Sequence, residues 1–140
     1  MIKGKDFIGI GVGAVILNER NEVLMLHRKR EPNFDHWHLP GGSVELFEKV
    51  EECVIREVKE EVGLNVLVNT ILDVVNSFYN DSHWISLVYS VKVVDGIAKN
   101  MEPNKHYDIK WFDIEKIPEN TLFLTKDEFK SVFKKALQYK

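Results

Sequence analysis

The chain of 140 residues has one cysteine, Cys53, so no disulfide can form within it, and a free thiol fits a reducing compartment. It also lacks an apolar run long enough to span a bilayer. The best candidate, residues 7–17, is too short, is interrupted by Gly9, Gly11 and Gly13, and is rich in β-branched residues. No signal-peptide cleavage pattern follows that run, which makes the cytoplasm the expected location. Positive charge is not in excess either. With 19 Lys and Arg against 22 Asp and Glu, a net −3, there is no electrostatic footprint for long nucleic acid, although a small anion held by a few local cations remains open. Repeats and low-complexity tracts are absent, and 44% hydrophobic with 29% charged residues is a globular composition rather than a disordered one. One domain over residues 1–140 is expected, large enough to bury about two-thirds of its unfolded surface.

The residues that are present punctuate clearly. Residues 7–17 read as a long strand, Asn18 to Asn21 as a turn and Glu22 to Arg28 as a second strand, together a hairpin. Residues 31–35 read as a loop, and Pro40-Gly41-Gly42 as a break in regular structure. From about Phe47 to Val62 the residues are strong helix formers, with Gly63 where a C-terminal cap belongs. Asn65 to Phe78 and Trp84 to Val94 are β-rich runs around a polar turn, and Ile109 to Phe112 is a short strand. Lys126 to Tyr139 has Phe129, Val132, Phe133, Ala136 and Leu137 on one helical face. Strands outnumber helices without strict βαβ alternation, so a mixed sheet with helices packed on it is the expected α/β architecture.

The informative segment is Gly42 to Leu64. On a helical wheel Glu61 lies about 40° to one side of Glu57, and Glu60 about 60° to the other. Val50, Cys53 and Val54 share that direction, so one stripe is apolar in its first half and carboxylate in its second. Carboxylates at i, i+3 and i+4 repel one another by a few tenths of a kcal/mol per pair, and they crowd the negative end of the helix dipole. A divalent cation reverses the sign of both penalties. Oxygen ligands favour a hard ion, Mg²⁺ first and Mn²⁺ next. The competing reading is a solvated acidic helix face, but the carboxylates here continue a core stripe and follow a glycine-rich loop.

The same segment resembles the Nudix box, G-x5-E-x7-R-E-U-x-E-E-x-G-U with U aliphatic. Gly42, Glu48, Arg56, Glu57, Val58, Glu60, Glu61, Gly63 and Leu64 fill every fixed position. One departure is Phe47, where many members carry glycine just before the first glutamate. The resemblance implies an α/β/α sandwich, metal-binding carboxylates at Glu57, Glu60 and Glu61, one of which also orients or deprotonates the attacking water, and a Glu48 that braces Arg56. It also implies a backbone carbonyl from Gly41 or Gly42 on the metal. In such an enzyme the metal neutralises the phosphates, positions them and makes water more acidic, so that a phosphoanhydride is broken with little covalent work by the protein.

Beyond the box, GVGAVIL, the HRK segment, WHLPGG, VVNSF and the EP-x-K before Trp111-Phe112 look like the MutT-type branch of that family, which hydrolyses nucleoside triphosphates to the monophosphate and pyrophosphate. That likeness makes Arg28 a phosphate contact, Glu102 a further metal-binding or water-orienting carboxylate, and Trp111 and Phe112 the walls of a base pocket; the competing reading of the last two is core packing. His36, His38 and His83 fall near the mouth of the site, none as a general base. A diphosphatase for ADP-ribose or another nucleoside diphosphate derivative shares the box; such families often carry a proline past it, which residues 78–82 lack. A hydrolase of capped RNA or diadenosine polyphosphates is also open, with Tyr79 near a tyrosine of the latter. A nucleotide-sensing module without activity is a further reading, which the retained carboxylates oppose. The expected partner is a small nucleotide, and a homodimer is a family-level expectation.

Overall fold

The computed structural model describes residues 1–31 and 33–140. Chain order is β1 Gly9–Val15, β2 Val23–Arg28, β3 Trp37–His38, β4 Gly41–Ser43, α1 Val50–Val62, β5 Asn65–Tyr79, β6 Ser82–Asp95, β7 His106–Phe112, a 3-10 turn Ile114–Lys116 and α2 Lys126–Leu137. One sheet has the order β4-β1-β6-β5, with β1 and β6 parallel and its other pairs antiparallel; the second, β3-β2-β7, is antiparallel throughout. The expected single mixed sheet is thus two sheets flanked by helices. Of the expected loop at 31–35, Pro32 lies outside the described residues.

Strands β1 and β2 are buried on both faces, which is why they read as nearly continuous apolar runs. Val12, Ala14, Ile16, Leu24 and Leu26 face Cys53, Val54, Val58 and Val62 of α1. Their neighbours Val15, Val23 and Met25 face Phe129, Val132 and Ala136 of α2. Period-two alternation in the strands therefore assigns one core to each helix and produces the α/β/α layering. Helix α2 starts with a capping box, Thr125 and Glu128 bonding reciprocally to each other's backbone N–H.

Three local expectations are corrected. β1 and β2 begin as a hairpin, through the Leu17–Val23 bridge and the Leu24 N–H to Ile16 carbonyl bond of 3.1 Å, but then diverge into different sheets. Gly41–Ser43 does not break structure; it is a strand antiparallel to Gly11–Gly13. Glycine permits this approach, because a Cβ on Gly41 would stand 1.9 Å from the Val12 carbonyl oxygen. Helix α1 starts at Val50 rather than Phe47, since Phe47 has φ of 67°, a left-handed conformation that cannot enter a helix. Gly63 caps its end as expected, with φ of 72° and its N–H on the Lys59 carbonyl. Among the described residues no helix is long and apolar enough to cross a membrane.

Candidate functional site

The last turn of α1 leaves carbonyls without helical partners. Two are taken by the segment before β7: Lys99 N–H donates to the Val62 carbonyl and Met101 N–H to that of Glu61, both at 3.0 Å. This docking brings Glu102 beside Glu61. The turn is closed by the N–H groups of Lys105 and His106, which donate to the Glu102 carbonyl at 2.8 and 3.0 Å. Single ligand atoms of Glu61, Glu102 and His106 all lie within 4.8 Å of one another.

Glu61 is buried, 6% exposed, and one of its oxygens accepts the Gly41 N–H at 2.7 Å. Burial raises its carboxyl well above the usual range, against the pull of the Gly41 N–H; Glu57 and Glu102 add to the rise. Burial raises Glu57 too, opposed by Arg56. Glu57 lies so close over Gly42 that a Cβ there would be 2.5 Å from its carboxylate. Arg56 is the organiser of the outer part. Its Nε and Nη2 donate to the two Glu48 oxygens at 2.6 and 3.0 Å, a direct fork, while Nη1 reaches Glu57 at 2.9 Å and Glu60 at 3.2 Å. The Arg56 bonds hold Glu48 down at about 2. Glu48 is available because the chain leaves it in the turn before α1, its N–H on the Glu45 carbonyl at 3.0 Å.

Arg56, Glu57, Glu60, Glu61 and Glu102 line a cavity of about 1010 Å³. Gly11, Gly13, Gly41 and Gly42 line it without side chains, Lys5, Arg28, Arg30 and Lys105 bring cations, and Tyr79, Trp84 and Phe123 bring aromatic surface. Arg28 is half-buried at the end of β2; burial, then the neighbouring Arg30, lowers its pKa from the usual guanidinium value. Trp84 packs against Gly4 and Gly9, where an added Cβ would come within 2.5 Å of the indole.

The structure therefore brings together Gly41, Glu48, Arg56, Glu57, Glu60, Glu61, Glu102 and Arg28. It does not bring Trp111 and Phe112. Trp111 packs against the α1-side core, and Phe112 against the α2-side core with an edge contact to Trp37 at 4.9 Å. Their strand is an edge of the smaller sheet, and its alternation serves packing. The aromatic surface that lines the cavity is instead that of Trp84, Tyr79 and Phe123, and nothing in the β-rich run around Trp84 distinguishes it from core. His36 bonds Tyr79 and His83 bonds Asn76, at 3.1 and 3.2 Å. His38 lines the cavity and His106, unnoticed in the sequence, lies in its wall. Burial pushes both down to about 4, so both are neutral at physiological pH. The one signal for His106 was its position four residues past Glu102.

The residues fit a divalent metal. The buried Glu61 carboxylate, disfavoured by burial and then by Glu57 and Glu102, beside buried imidazole nitrogens without hydrogen-bond partners, forms a donor set that an ion would satisfy.

An α/β/α sandwich with a carboxylate cluster, one member of it buried, at the end of one helix, facing a cation-lined cavity, defines a class of protein suited to holding metal against a phosphorylated ligand. The chain belongs to the Nudix family, whose NUDIX domain description matches residues 8–134. It is 38% identical over 106 residues to an ADP-ribose pyrophosphatase of Methanocaldococcus jannaschii, covering 74% of this chain and 62% of that protein. It is 37% identical over 86 residues to an 8-oxo-dGDP phosphatase of Mus musculus, covering 61% of this chain and 26% of that protein. The chain thus spans less than two-thirds of the length of either curated relative. A MutT NUDIX hydrolase from Burkholderia pseudomallei superposes with a TM-score of 0.79 at 32% identity, over 90% of this chain and 96% of the other. Nudix hydrolases generally use divalent metal ions, and the relatives carry the names of enzymes acting on phosphoanhydrides.

Proposed function

We propose that the chain hydrolyses a nucleoside triphosphate, ribo or deoxy and plain or modified in its base, to the monophosphate and pyrophosphate. The observation that carries this reading is the lining of one cavity by the Glu57, Glu60, Glu61 and Glu102 carboxylates together with Lys5, Arg28, Arg30 and Lys105, of which Lys105 pairs with Glu102 at 3.1 Å. A bare carboxylate cluster repels phosphates, so it is useful only with metal between, and the cations lining the same cavity match the higher charge of a triphosphate chain. Mg²⁺, or Mn²⁺ in its place, would be held by Glu57, Glu60, Glu61 and Glu102 with help from Gly41, and supplies charge neutralisation and a more acidic water. Arg28, on the cavity wall at the end of β2, binds the phosphate chain. The aromatic surface of Trp84 and Tyr79 offers a base a face to stack on.

The protein's own residues do positioning work. Arg56 is locked by Glu48 and in turn restrains Glu57 and Glu60, so these carboxylates are oriented before substrate arrives. Gly41 fixes Glu61 in the same way. Water adds to phosphorus at the linkage between the α- and β-phosphates, the bond to the bridging oxygen breaks, pyrophosphate leaves, and a carboxylate of the cluster accepts the proton of the water.

A nucleotide panel with product analysis tests the assignment. Monophosphate and pyrophosphate from at least one triphosphate, lost by two to three orders of magnitude in kcat in Glu57→Gln and Glu61→Gln, is expected. A specific observation favours a second reading: the 38% identical relative is named for ADP-ribose. ADP-ribose cleaved faster than every triphosphate would replace the first reading with the second. Nucleotide binding without turnover would make the chain a sensor.

A further inference from the structure

His106 is the most constrained histidine of the chain. It begins β7 opposite Arg28 of β2, its N–H donates to the Glu102 carbonyl at 3.0 Å, and its carbonyl accepts from Asn100 Nδ2 at 2.9 Å. The backbone is held on both sides, so the ring position is fixed. That ring is 3% exposed: Nδ1 is buried without a hydrogen-bond partner, and Nε2 meets a Glu61 oxygen at 3.7 Å, longer than a hydrogen bond. Burying a polar ring unsatisfied is costly, and such rings usually have a partner from outside the chain.

The distance from Nε2 to Glu61 is that of two ligands of one ion. Donors about 2.1 Å from a common octahedral metal lie roughly 3 to 4 Å apart. The third donor, a Glu102 oxygen, belongs to the same group of atoms within 4.8 Å. Lys105 Nζ lies 3.1 Å from a Glu102 oxygen and supplies there part of the positive charge that an ion would bring.

We infer that His106 is a nitrogen ligand to the divalent ion held by Glu61 and Glu102, giving a mixed nitrogen and oxygen site that favours Mn²⁺ over Mg²⁺ more than carboxylates alone would. The inference rests on the metal-dependent reading of this cavity and changes its metal preference. Imidazole binds Mn²⁺ and later transition metals in preference to Mg²⁺, which takes oxygen and water. His38 is the competing nitrogen. Its ring centroid is 5.4 Å from that of His106 and its Nε2 is also buried without a partner, but Nδ1 is engaged with the Leu39 carbonyl at 2.8 Å, and it is outside the three-residue group.

The test is pulsed electron paramagnetic resonance of the full chain with less than one equivalent of Mn²⁺ and no nucleotide, on protein carrying ¹⁵N-histidine and on unlabelled protein. A directly bound imidazole gives a nitrogen coupling that changes with the label. The coupling is expected in the parent and in His38→Gln, and lost in His106→Gln. Calorimetric titration should show Mn²⁺ binding weakened about tenfold or more in His106→Gln, since loss of even an outer partner of a ligand has such an effect. Mg²⁺ binding should change by less than about threefold. No histidine coupling in the parent, or a coupling that survives His106→Gln, overturns the inference. The parent spectrum decides the matter even if that variant does not fold. Nucleotide turnover with Mn²⁺ in a parent lacking the coupling would sink the ligand role alone, whereas a coupled Mn²⁺ without turnover would sink the hydrolase reading alone.

Discussion

Replacing Glu61 by glutamine should reverse the order of stability between metal-free and metal-loaded protein. Glu61 lies in the group of ligand atoms within 4.8 Å that includes a Glu102 oxygen. At that distance, with an effective permittivity of about 20, two ionised carboxylates repel by roughly 3 kcal/mol. Lys105 beside Glu102 and the partial exposure of Glu102 reduce this, leaving about 1–2 kcal/mol of relief on neutralising Glu61. The glutamine keeps an amide oxygen for the Gly41 N–H, so that bond survives. In EDTA at about pH 8 the variant should therefore melt above the parent by about 3–6 °C for a domain of this size. With Mg²⁺ at about a hundred times its dissociation constant, the parent gains about 2.7 kcal/mol by mass action and overtakes a variant that has lost a ligand.

The pH dependence has a definite sign. Folding raises the Glu61 pKa, so over a window above the usual carboxylate range the native state holds a proton that the unfolded chain has released. Stability of the metal-free parent then falls as pH rises through that window, and the variant's advantage grows over the same window and vanishes below it. Scanning calorimetry across pH, with and without Mg²⁺, measures both effects. A Glu61→Gln protein less stable than the parent in EDTA at alkaline pH, or equal stabilisation of both by Mg²⁺, would refute the account of an acidic cluster kept for metal.

Phe47→Gly should stabilise the chain by about 0.5–1 kcal/mol, because Phe47 has φ of 67° and is 96% exposed, so relief of the left-handed strain outweighs the added freedom of the unfolded chain; an unchanged or lower urea midpoint contradicts this. Gly42→Ala should displace Glu57, whose carboxylate would be 2.5 Å from the new Cβ, and lower kcat at least tenfold while the fold persists by circular dichroism; parent-like kcat would show that Glu57 can move freely. Cys53, buried and with its thiol pushed up to about 12, should resist a thiol reagent at neutral pH until the chain unfolds, and fast labelling of native protein would contradict its placement. Glu48, held at about 2 by Arg56, should add stability above the usual carboxylate range that is lost as pH falls toward 2; an acid titration in which Glu48→Gln and parent lose stability in parallel would deny the brace any part in it.

Local signals in the chain were strong where they arise from periodicity. The α1 stripe, the Gly63 cap and the α2 face are all set by spacings along one segment, and the long strands by their β-branched runs. The carboxylates were legible for the same reason, as neighbours on one helical turn. What could not be read was set by contacts between distant segments. Whether residues 9–15 and 23–28 pair with each other depends on β6 and β7 competing for their edges. Gly41–Ser43 becomes a strand only because β1 presents glycines to it. Trp111 and Trp84 both sit in β-rich runs, and only the packing of β7 against the cores and of the Trp84 indole against Gly4 and Gly9 separates them. His106 depends on the docking of residues 99–101 onto the end of α1.

The two ends of the acidic stretch also solve opposite problems. Around Arg56, the carboxylates are paired: a two-pronged bond to Glu48 and contacts to Glu57 and Glu60 leave the outer carboxylates oriented without outside help. One turn further on, Glu61 accepts the Gly41 N–H but, among the described residues, has no such cationic fork. Its remaining neighbours include Glu57, Glu102 and a neutral His106, and Lys105, which lowers Glu61 from a distance, is paired directly with Glu102 at 3.1 Å. A fold selected only for stability would place an apolar residue at this buried position of α1, in line with Val54 and Val58. The half without such a fork is thus the half that a cation would complete, and the paired half keeps it in shape.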